Sequence, residues 1–477
     1  MRWWPLRPSL PRPQRIPKSF GVLLRPVQVD NARDRAVVLG YTTPAPDAYV
    51  IENYEFTAET VWDFARLAAS VNTLDMLQST QSSKHLLLIR LIGEENTRLR
   101  WSGALAVFEE ASTSQMAARV IADPWTGAWA ARCARQLNRT GGLASEQVLH
   151  FNALAAAVAI GAGLDANLAL PVRNGSVYLP TLGTVLINAD GTTHQLLVRG
   201  GKATSVPDDT EVDTPTWLSH RWLVDHHDGV VTRTLLDDLS PFRDIYRLAL
   251  PRLRLTEDKI ALWRRLWAQA WSVLHECCPD RAAELATCLH TAVPLSRRAG
   301  RAGFSATSRD AFGALALSQP GNGVNLAVTL IHECQHAKLG SLLDLVDLYR
   351  TSSNRYFAPW RKDSRPIGGL VQGTYAFLGV AEAWWRLSSD PKLTSPALRQ
   401  FAHIREQVSV AATELEGAPE LTAVGKVFAA GIRALLNDLL DIDLPSDMIR
   451  EARASVRRLR AEWSRANTRG PARRQRI

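Results

Sequence analysis

The feature that most constrains this chain of 477 residues is LIHECQHAKL, residues 330–339, which contains the pattern H-E-x-x-H. Residues four apart lie on the same face of an α-helix, so His332 and His336 can offer two imidazole nitrogens to one ion. Glu333 lies about 100° round the helix axis, where its carboxylate can handle a proton. Apolar residues flank the motif on both sides. The sequence therefore predicts a metal site on a buried helix.

The third protein ligand is left open by the spacing. Gly340 follows the second histidine by four residues, and no third histidine continues the motif. Glu382, on a following helix, is the first choice, because it follows Tyr375 by seven residues and shares a helical face with it. His403 is the second choice. Asp344 is the third, since it could reach the ion only if the helix broke at Gly340.

A loop between two predicted helices carries a second chemical signal, PWRKDSRP. Arg361 and Arg365 each offer a planar fork of donors suited to a carboxylate, and the prolines would stiffen the loop. We predict that these arginines anchor a carboxylate cosubstrate. The alternative is a structural loop in which they pair with Asp363 and Asp347.

Composition and charge narrow the class of protein. Hydrophobic residues make up 46% of the chain and charged residues 22%, which is typical of a globular protein. No apolar run approaches the roughly 20 residues of a membrane span, and the N-terminus lacks the apolar core of a secretory signal. The five cysteines form no C-x-x-C pair. We expect a reduced, cytoplasmic protein.

The net charge of +9 is concentrated at the two ends of the chain. Residues 1–18 carry five basic side chains and no acidic one, and residues 450–477 carry ten arginines against two glutamates. The body between them is mildly acidic, which argues against a nucleic-acid-binding body.

Periodicity and turn residues predict an α+β, predominantly helical protein with a zincin-like HExxH domain. A helix is expected over 57–77, with Thr57 as its N-cap. The strand FGALALSQP, at 312–320, precedes the motif helix and could accept a peptide by strand addition. A second helix is expected over 367–387.

Five segments are predicted along the chain. They are a basic Pro/Arg-rich tail (1–20), a mainly helical region (21–172), a β-rich segment (173–250), a helical metal domain (251–445) and an Arg-rich C-terminal helix and tail (446–477).

The stretches HECQHAKLGSLLDLVDLY (332–349) and RYFAPWRKDSRPIGGLVQGTYAFLGVAEAWWR (355–386) resemble the HExxH-domain proteins of ribosomal peptide natural-product clusters. VIADPWTGAWAARCARQL (120–137) and LLDDLSPFRD (235–244) resemble further segments of the same family.

The resemblance implies a 2-oxoglutarate-dependent peptide β-hydroxylase whose Fe(II) is held by His332 and His336. It implies a ribosomal precursor peptide as substrate and a radical SAM peptide-modifying enzyme as a second partner. Glu333 would orient groups or carry a proton.

Two other functions remain open from the residues. In a zinc metallopeptidase, His332, His336 and Glu382 would hold zinc and Glu333 would be the base. In a non-catalytic module, the chain would bind a peptide or a partner enzyme and the metal site would be vestigial.

Overall fold

The computed structural model describes residues 36–38, 54–95, 101–187, 192–205, 216–246, 250, 254–296 and 303–467. Its architecture is α+β and predominantly helical with small sheets, as the sequence predicts. The predicted tail 1–20 and the end of the C-terminal tail lie outside the described residues. Within the described part of the chain, no helix is both long and apolar enough to cross a membrane.

The helices, in chain order, are α1 (Ala58–Ala65), α2 (Val71–Glu95), α3 (Ser102–Glu110), α4 (Gln115–Ala122), α5 (Pro124–Thr140), α6 (Ser145–Ala162), α7 (Glu257–Cys277), α8 (Pro279–Cys288), α9 (Gly323–Leu342), α10 (Ile367–Leu387), α11 (Thr394–Glu416), α12 (Ala423–Leu440) and α13 (Ser446–Asn467). A 3₁₀ helix spans Pro241–Tyr246.

The strands are β1 (Ala36–Val38), β2 (Tyr54–Phe56), β3 (Ala166–Pro171), β4 (Ser176–Leu179), β5 (Gly183–Leu186), β6 (Thr193–Arg199), β7 (Lys202–Ser205), β8 (Thr216–Ser219), β9 (Trp222–His227), β10 (Val230–Leu236), β11 (Thr291–Leu295), β12 (Ser305–Thr307) and β13 (Ala314–Ser318).

The largest sheet has five strands in the order β12-β13-β11-β10-β9. Strands β10, β11 and β13 are parallel, and the outer strands β9 and β12 are antiparallel to their neighbours. The segments between β3 and β8 form two smaller sheets, β3-β6-β7 and β4-β5-β8.

The strand predicted to accept a peptide lies inside this sheet. β13 is bonded on one side to β11 and on the other to β12, so its backbone donors and acceptors are already used. The prediction of strand addition at 312–320 is therefore wrong. The edge strand next to β13 is β12.

The motif helix α9 packs beside α7, and both helices contact this sheet, α9 at β12 and α7 at β9. Trp267 and Trp271 of α7, Leu315 and Leu317 of β13 and Leu330 of α9 belong to one buried apolar cluster. Burial of such side chains contributes about 1.5–3 kcal/mol each. This packing holds the motif helix rigidly against the sheet.

The helix predicted over 57–77 is two helices. Thr57 does cap the first one, since its hydroxyl oxygen accepts from the Thr60 backbone N–H at 3.1 Å. Leu67, however, has φ 61, and a left-handed residue cannot continue a right-handed helix. Ser70 then caps α2 by accepting from the Thr73 N–H at 3.2 Å.

A buried ion network joins α8, α9 and α10. The Lys338 side chain is 0% exposed, and its Nζ lies 2.9 Å from Glu284 Oε2. Arg281 donates to Glu284 at 2.8 Å, and its Nε lies 3.6 Å from Glu382 Oε2. Two cations thus face two carboxylates, which is the condition under which buried charge is tolerated.

We predict that Lys338→Met destabilises the protein by about 3 kcal/mol, measured by urea unfolding. This is the low end of the cost of breaking a buried ion pair, because Arg281 still faces Glu284 in the variant. The matched control is Lys392→Met, which changes an exposed lysine and should alter the free energy of unfolding by less than about 0.5 kcal/mol. Equal stability of the two variants would contradict the importance of the network.

Candidate metal site

The two motif histidines converge on one point. His332 Nε2 and His336 Nε2 lie 3.1 Å apart, and both side chains are buried or nearly so in the packing around α9. Two nitrogens that each lie about 2.1 Å from one ion are roughly 3.0–3.4 Å apart for angles between octahedral and tetrahedral. The pair therefore fits a single divalent ion.

Burial keeps both imidazoles neutral. Burial lowers the pKa of His332 well below its usual value, and the neighbouring His336 lowers it further. Burial also lowers the pKa of His336, while its hydrogen bond to Gln372 acts in the opposite direction. A metal ion binds the neutral ring, so the low pKa values favour metal binding near neutral pH.

Gln372 of α10 fixes the orientation of the His336 ring. His336 Nδ1 donates to Gln372 Oε1 at 2.9 Å, the tautomer that leaves Nε2 without a proton and free to accept a metal. An outer hydrogen bond of this kind is a regular companion of metal-binding histidines.

Aromatic rings cover the histidine pair on the α10 side. The Phe377 ring meets the His332 ring edge-on, with centroids 4.9 Å apart. Trp360, from the loop before α10, stacks on Phe377 at 4.5 Å. A Cβ on Gly373 would lie 2.5 Å from the Trp360 ring, so only glycine leaves room for this indole. These rings limit the access of water to the pair.

Glu333 faces the edge strand β12. Its Oε1 accepts from the Ser305 hydroxyl at 2.6 Å, and Thr307 also hydrogen-bonds to the carboxylate. Burial raises the pKa of Glu333 to about 7, against the opposing effect of these two hydroxyl groups. The carboxyl group is thus able to take up or release a proton near neutral pH.

The polar side chains of α9 point in different directions. Taking His332 as the origin, His336 lies about 40° round the helix and Glu333 about 100°. Gln335 and Lys338 lie at about 300° and 240°, on the side of the ion network. The helix α9 therefore directs its histidines and its ion-network residues toward different neighbouring elements.

Glu382, the predicted third ligand, lies in the ion network. It accepts from Arg386 Nη2 at 2.8 Å and lies near Arg281. It does share a face of α10 with Tyr375, but that face meets Lys338, whose Nζ is 5.9 Å from the Tyr375 ring. The structure does not bring Glu382 to the histidine pair.

The two alternative third ligands also lie elsewhere. Asp344 pairs with Lys84 at 2.9 Å and with Arg309, and α9 runs past Gly340 without a break. His403 contacts Gln407 within α11. Among the described residues, no group of three or more His, Cys, Asp or Glu side chains is placed to hold a metal.

The two loop arginines share one carboxylate. Arg361 Nε donates to Asp363 Oδ1 at 2.8 Å, and Arg365 Nη1 lies 3.3 Å from Asp363 Oδ2. The structure thus shows the Asp363 part of the structural alternative predicted from the sequence, whereas the ion pairs found for the two arginines do not include Asp347. To anchor a cosubstrate, either arginine would have to exchange Asp363 for the incoming carboxylate.

Sequence reasoning did not identify Gln372, Phe377, Ser305 or Thr307 as parts of the site. A glutamine or a phenylalanine within an apolar helix has no periodic signal that separates a metal-site role from packing. The one available signal was Gly373 in the interior of a helix, where glycine costs about 1 kcal/mol relative to alanine and needs a packing reason.

We predict that Gln372→Ala weakens Co(II) binding roughly 10- to 100-fold, because the His336 ring loses the partner that orients it. Competition with a chromophoric chelator measures the affinity. Gln372→Glu is the matched control, since it keeps an acceptor for the Nδ1 proton and should bind Co(II) within about threefold of wild type. Unchanged affinity in Gln372→Ala would show that this hydrogen bond does not support the site.

Comparisons with known proteins add no family to this description. No family model matches the chain, and no curated protein matches it at a significant level. The case for function therefore rests on the geometry of the site, and the family resemblance drawn from the sequence stays a prediction.

Proposed function

We propose that this protein is an Fe(II)- and 2-oxoglutarate-dependent enzyme that β-hydroxylates a residue of a ribosomally synthesised precursor peptide. The observation that carries the proposal is the pair of neutral imidazoles whose Nε2 atoms lie 3.1 Å apart. Non-haem Fe(II) is commonly held by two histidines and one carboxylate with open positions, and the pair would supply the two histidines. Iron bound there would supply the oxidising power, drawn from O₂ and 2-oxoglutarate.

The other residues of the site have distinct proposed roles. Gln372 holds the His336 ring in position, and Phe377 with Trp360 keeps water from the ion. Glu333 holds a proton at its carboxyl group beside Ser305. Separate residues that orient a ligand, exclude water and hold a proton are typical of an enclosed metal site.

The edge strand β12 is the proposed docking site for the peptide. It forms the outer strand of the five-stranded sheet, and Ser305 at its start contacts Glu333 on the motif helix. A peptide that added to this edge would lie near Glu333 of the motif helix. An antiparallel edge strand beside an HExxH helix also supports the zincin-like description of this domain.

The cosubstrate would be gripped by Arg361 or Arg365 in place of Asp363. The 2-oxoglutarate carboxylate and the Asp363 carboxylate are alternative partners for the same guanidinium groups. A radical SAM peptide-modifying enzyme remains a second proposed partner, supported by the sequence resemblance alone.

Zinc peptidase activity is the second candidate, and one observation favours it. Glu333, with a pKa raised to about 7 by burial, lies between the histidine pair and the edge strand on which a substrate peptide would dock. A carboxylate in that position could serve as the base that activates water.

We expect the precursor peptide, co-expressed with the wild-type protein, to gain the mass of one oxygen atom, as measured by mass spectrometry. Purified protein should repeat the reaction only when Fe(II) and 2-oxoglutarate are both present. The control is the double variant His332→Ala, His336→Ala, checked for its fold by circular dichroism. An unmodified peptide with folded, iron-loaded wild-type protein would overturn the proposal.

Glu333→Gln separates the two candidate chemistries in the same assay. A peptidase that uses Glu333 as its base loses cleavage, and the peptide stays intact in the variant. A hydroxylase still adds oxygen in the variant, because glutamine keeps a hydrogen-bonding group beside Ser305. Peptide binding that persists in wild type and in the double histidine variant, with no product in either, would identify a non-catalytic module.

A further inference from the structure

A cavity of about 390 Å³ lies away from the motif helix. It is enclosed by α5, α6, the β4-β5-β8 sheet and the segment that follows β10. None of its lining residues belongs to α9 or α10. The volume falls within the roughly 300–1,000 Å³ of sites for small ligands. The segments 120–137 and 235–244, singled out in the sequence, meet at this cavity.

Glu146 Oε1 in the lining pairs with Arg173, and the Tyr178 hydroxyl contacts Ser240. Three further buried polar atoms around the cavity have neither a hydrogen-bond partner nor an ion-pair partner in the protein. They are His150 Nε2 on α6, Thr184 Oγ1 on β5 and Arg243 Nη1 on the 3₁₀ helix. His150 and Thr184 are each only 5% exposed. A buried polar group without a partner costs about 1–3 kcal/mol, so three of them around one cavity indicate a ligand that supplies their partners.

All three atoms can donate a hydrogen bond. The Arg243 guanidinium can only donate, and the Thr184 hydroxyl can donate by rotation. Burial lowers the pKa of His150 to about 3, so its ring is neutral and can carry its single proton on Nε2. A ligand that presents acceptor oxygens therefore satisfies all three.

The charges around the cavity leave one cation uncompensated. Three of the four arginines in the lining have a carboxylate partner: Arg132 pairs with Asp244, Arg173 with Glu146, and Arg254 with Asp238. The fourth, Arg243, donates from Nε to the Ser240 carbonyl at 2.8 Å and has no carboxylate partner among the described residues. A guanidinium without a carboxylate partner in the protein can bind the carboxylate of a ligand.

Part of the wall is aromatic. The His150 ring lies 5.4 Å from the Trp129 ring and 4.7 Å from the Phe242 ring, measured between centroids. Arg132 and Arg173 lie over Phe242, at 5.6 and 5.9 Å from its centroid. Such a wall suits a ligand with an apolar stem behind its charged end rather than a fully hydrated inorganic anion.

We propose that this cavity is a second binding site, which holds an organic carboxylate through Arg243, His150 and Thr184. The site is separate from the histidine pair and does not depend on the metal or on the proposed hydroxylation. The carboxylate could belong to a free small dicarboxylate or to an acidic side chain of a peptide. Both sources present the same group to the three donors.

Calorimetric titration of the metal-free full-length protein distinguishes these sources. The probes are glutarate, a glutamate residue capped at both ends, and inorganic phosphate. If only glutarate binds tightly, the ligand of the cavity is a free dicarboxylate. If the capped glutamate binds as tightly as glutarate or more tightly, the ligand is an acidic side chain of a peptide. Failure of both carboxylates to bind, or phosphate binding as tightly as either, would overturn the proposal.

Two variants test the residues. Arg243→Leu should weaken carboxylate binding by at least about tenfold, whereas Arg199→Leu, which changes an exposed arginine, should not change it. Thr184→Val should weaken binding several-fold and leave the thermal midpoint unchanged or higher, because the hydroxyl it removes has no protein partner. Wild-type affinity in folded Thr184→Val and Arg243→Leu would contradict the site. If Arg243→Leu does not fold, the Thr184→Val result alone decides.

Discussion

The packing of α9 against α10 and α8 is the constraint on which the candidate metal site depends. On one side of α9, Lys338 meets Glu284 and Arg281 in a buried network that also includes Glu382. Each buried charge needs its partner, so the network allows little rotation of α9 about its own axis. The histidines, about 100° or more away round the helix, are thereby held facing Gln372 and Phe377.

The same packing explains how α9 can carry both the candidate metal ligands and the residues of the stabilising ion network. α9 is buried on almost all sides, yet it carries two histidines, a glutamate, a glutamine and a lysine. Each group has its own neighbour: β12 for Glu333, α10 for the histidines, and α8 for Gln335 and Lys338. A helix with so many buried polar groups folds only because every one of these neighbours is in place.

The segment that follows β10 lines the cavity and also lies within electrostatic reach of the motif helix. The 3₁₀ helix that carries Arg243 also carries Tyr246, whose ring lies 6.5 Å from Trp125 in the wall of α5. Burial raises the pKa of Tyr246 well above its usual value, and the charge of Glu333 raises it further. Glu333 is therefore electrostatically close to the segment that follows β10.

The sequence alone predicted the helix positions and shared helical faces that depend on the spacing of nearby residues. The i, i+4 rule predicted that the imidazoles of His332 and His336 lie together, and the helix expected over 367–387 matches α10. The shared face of Tyr375 and Glu382 was also predictable, but which neighbour that face meets depends on Arg281 and Glu284, about a hundred residues earlier. The cavity is built from four distant segments, and no short-range pattern brings them together.

The most direct test of the metal site is X-ray absorption spectroscopy of the anaerobically prepared Fe(II) protein. Two imidazole ligands per iron are expected from His332 and His336, and the imidazole scattering should be absent from any iron that the double His→Ala variant retains. An iron shell without imidazole in the wild-type protein, or an unchanged spectrum in the double variant, would contradict the account.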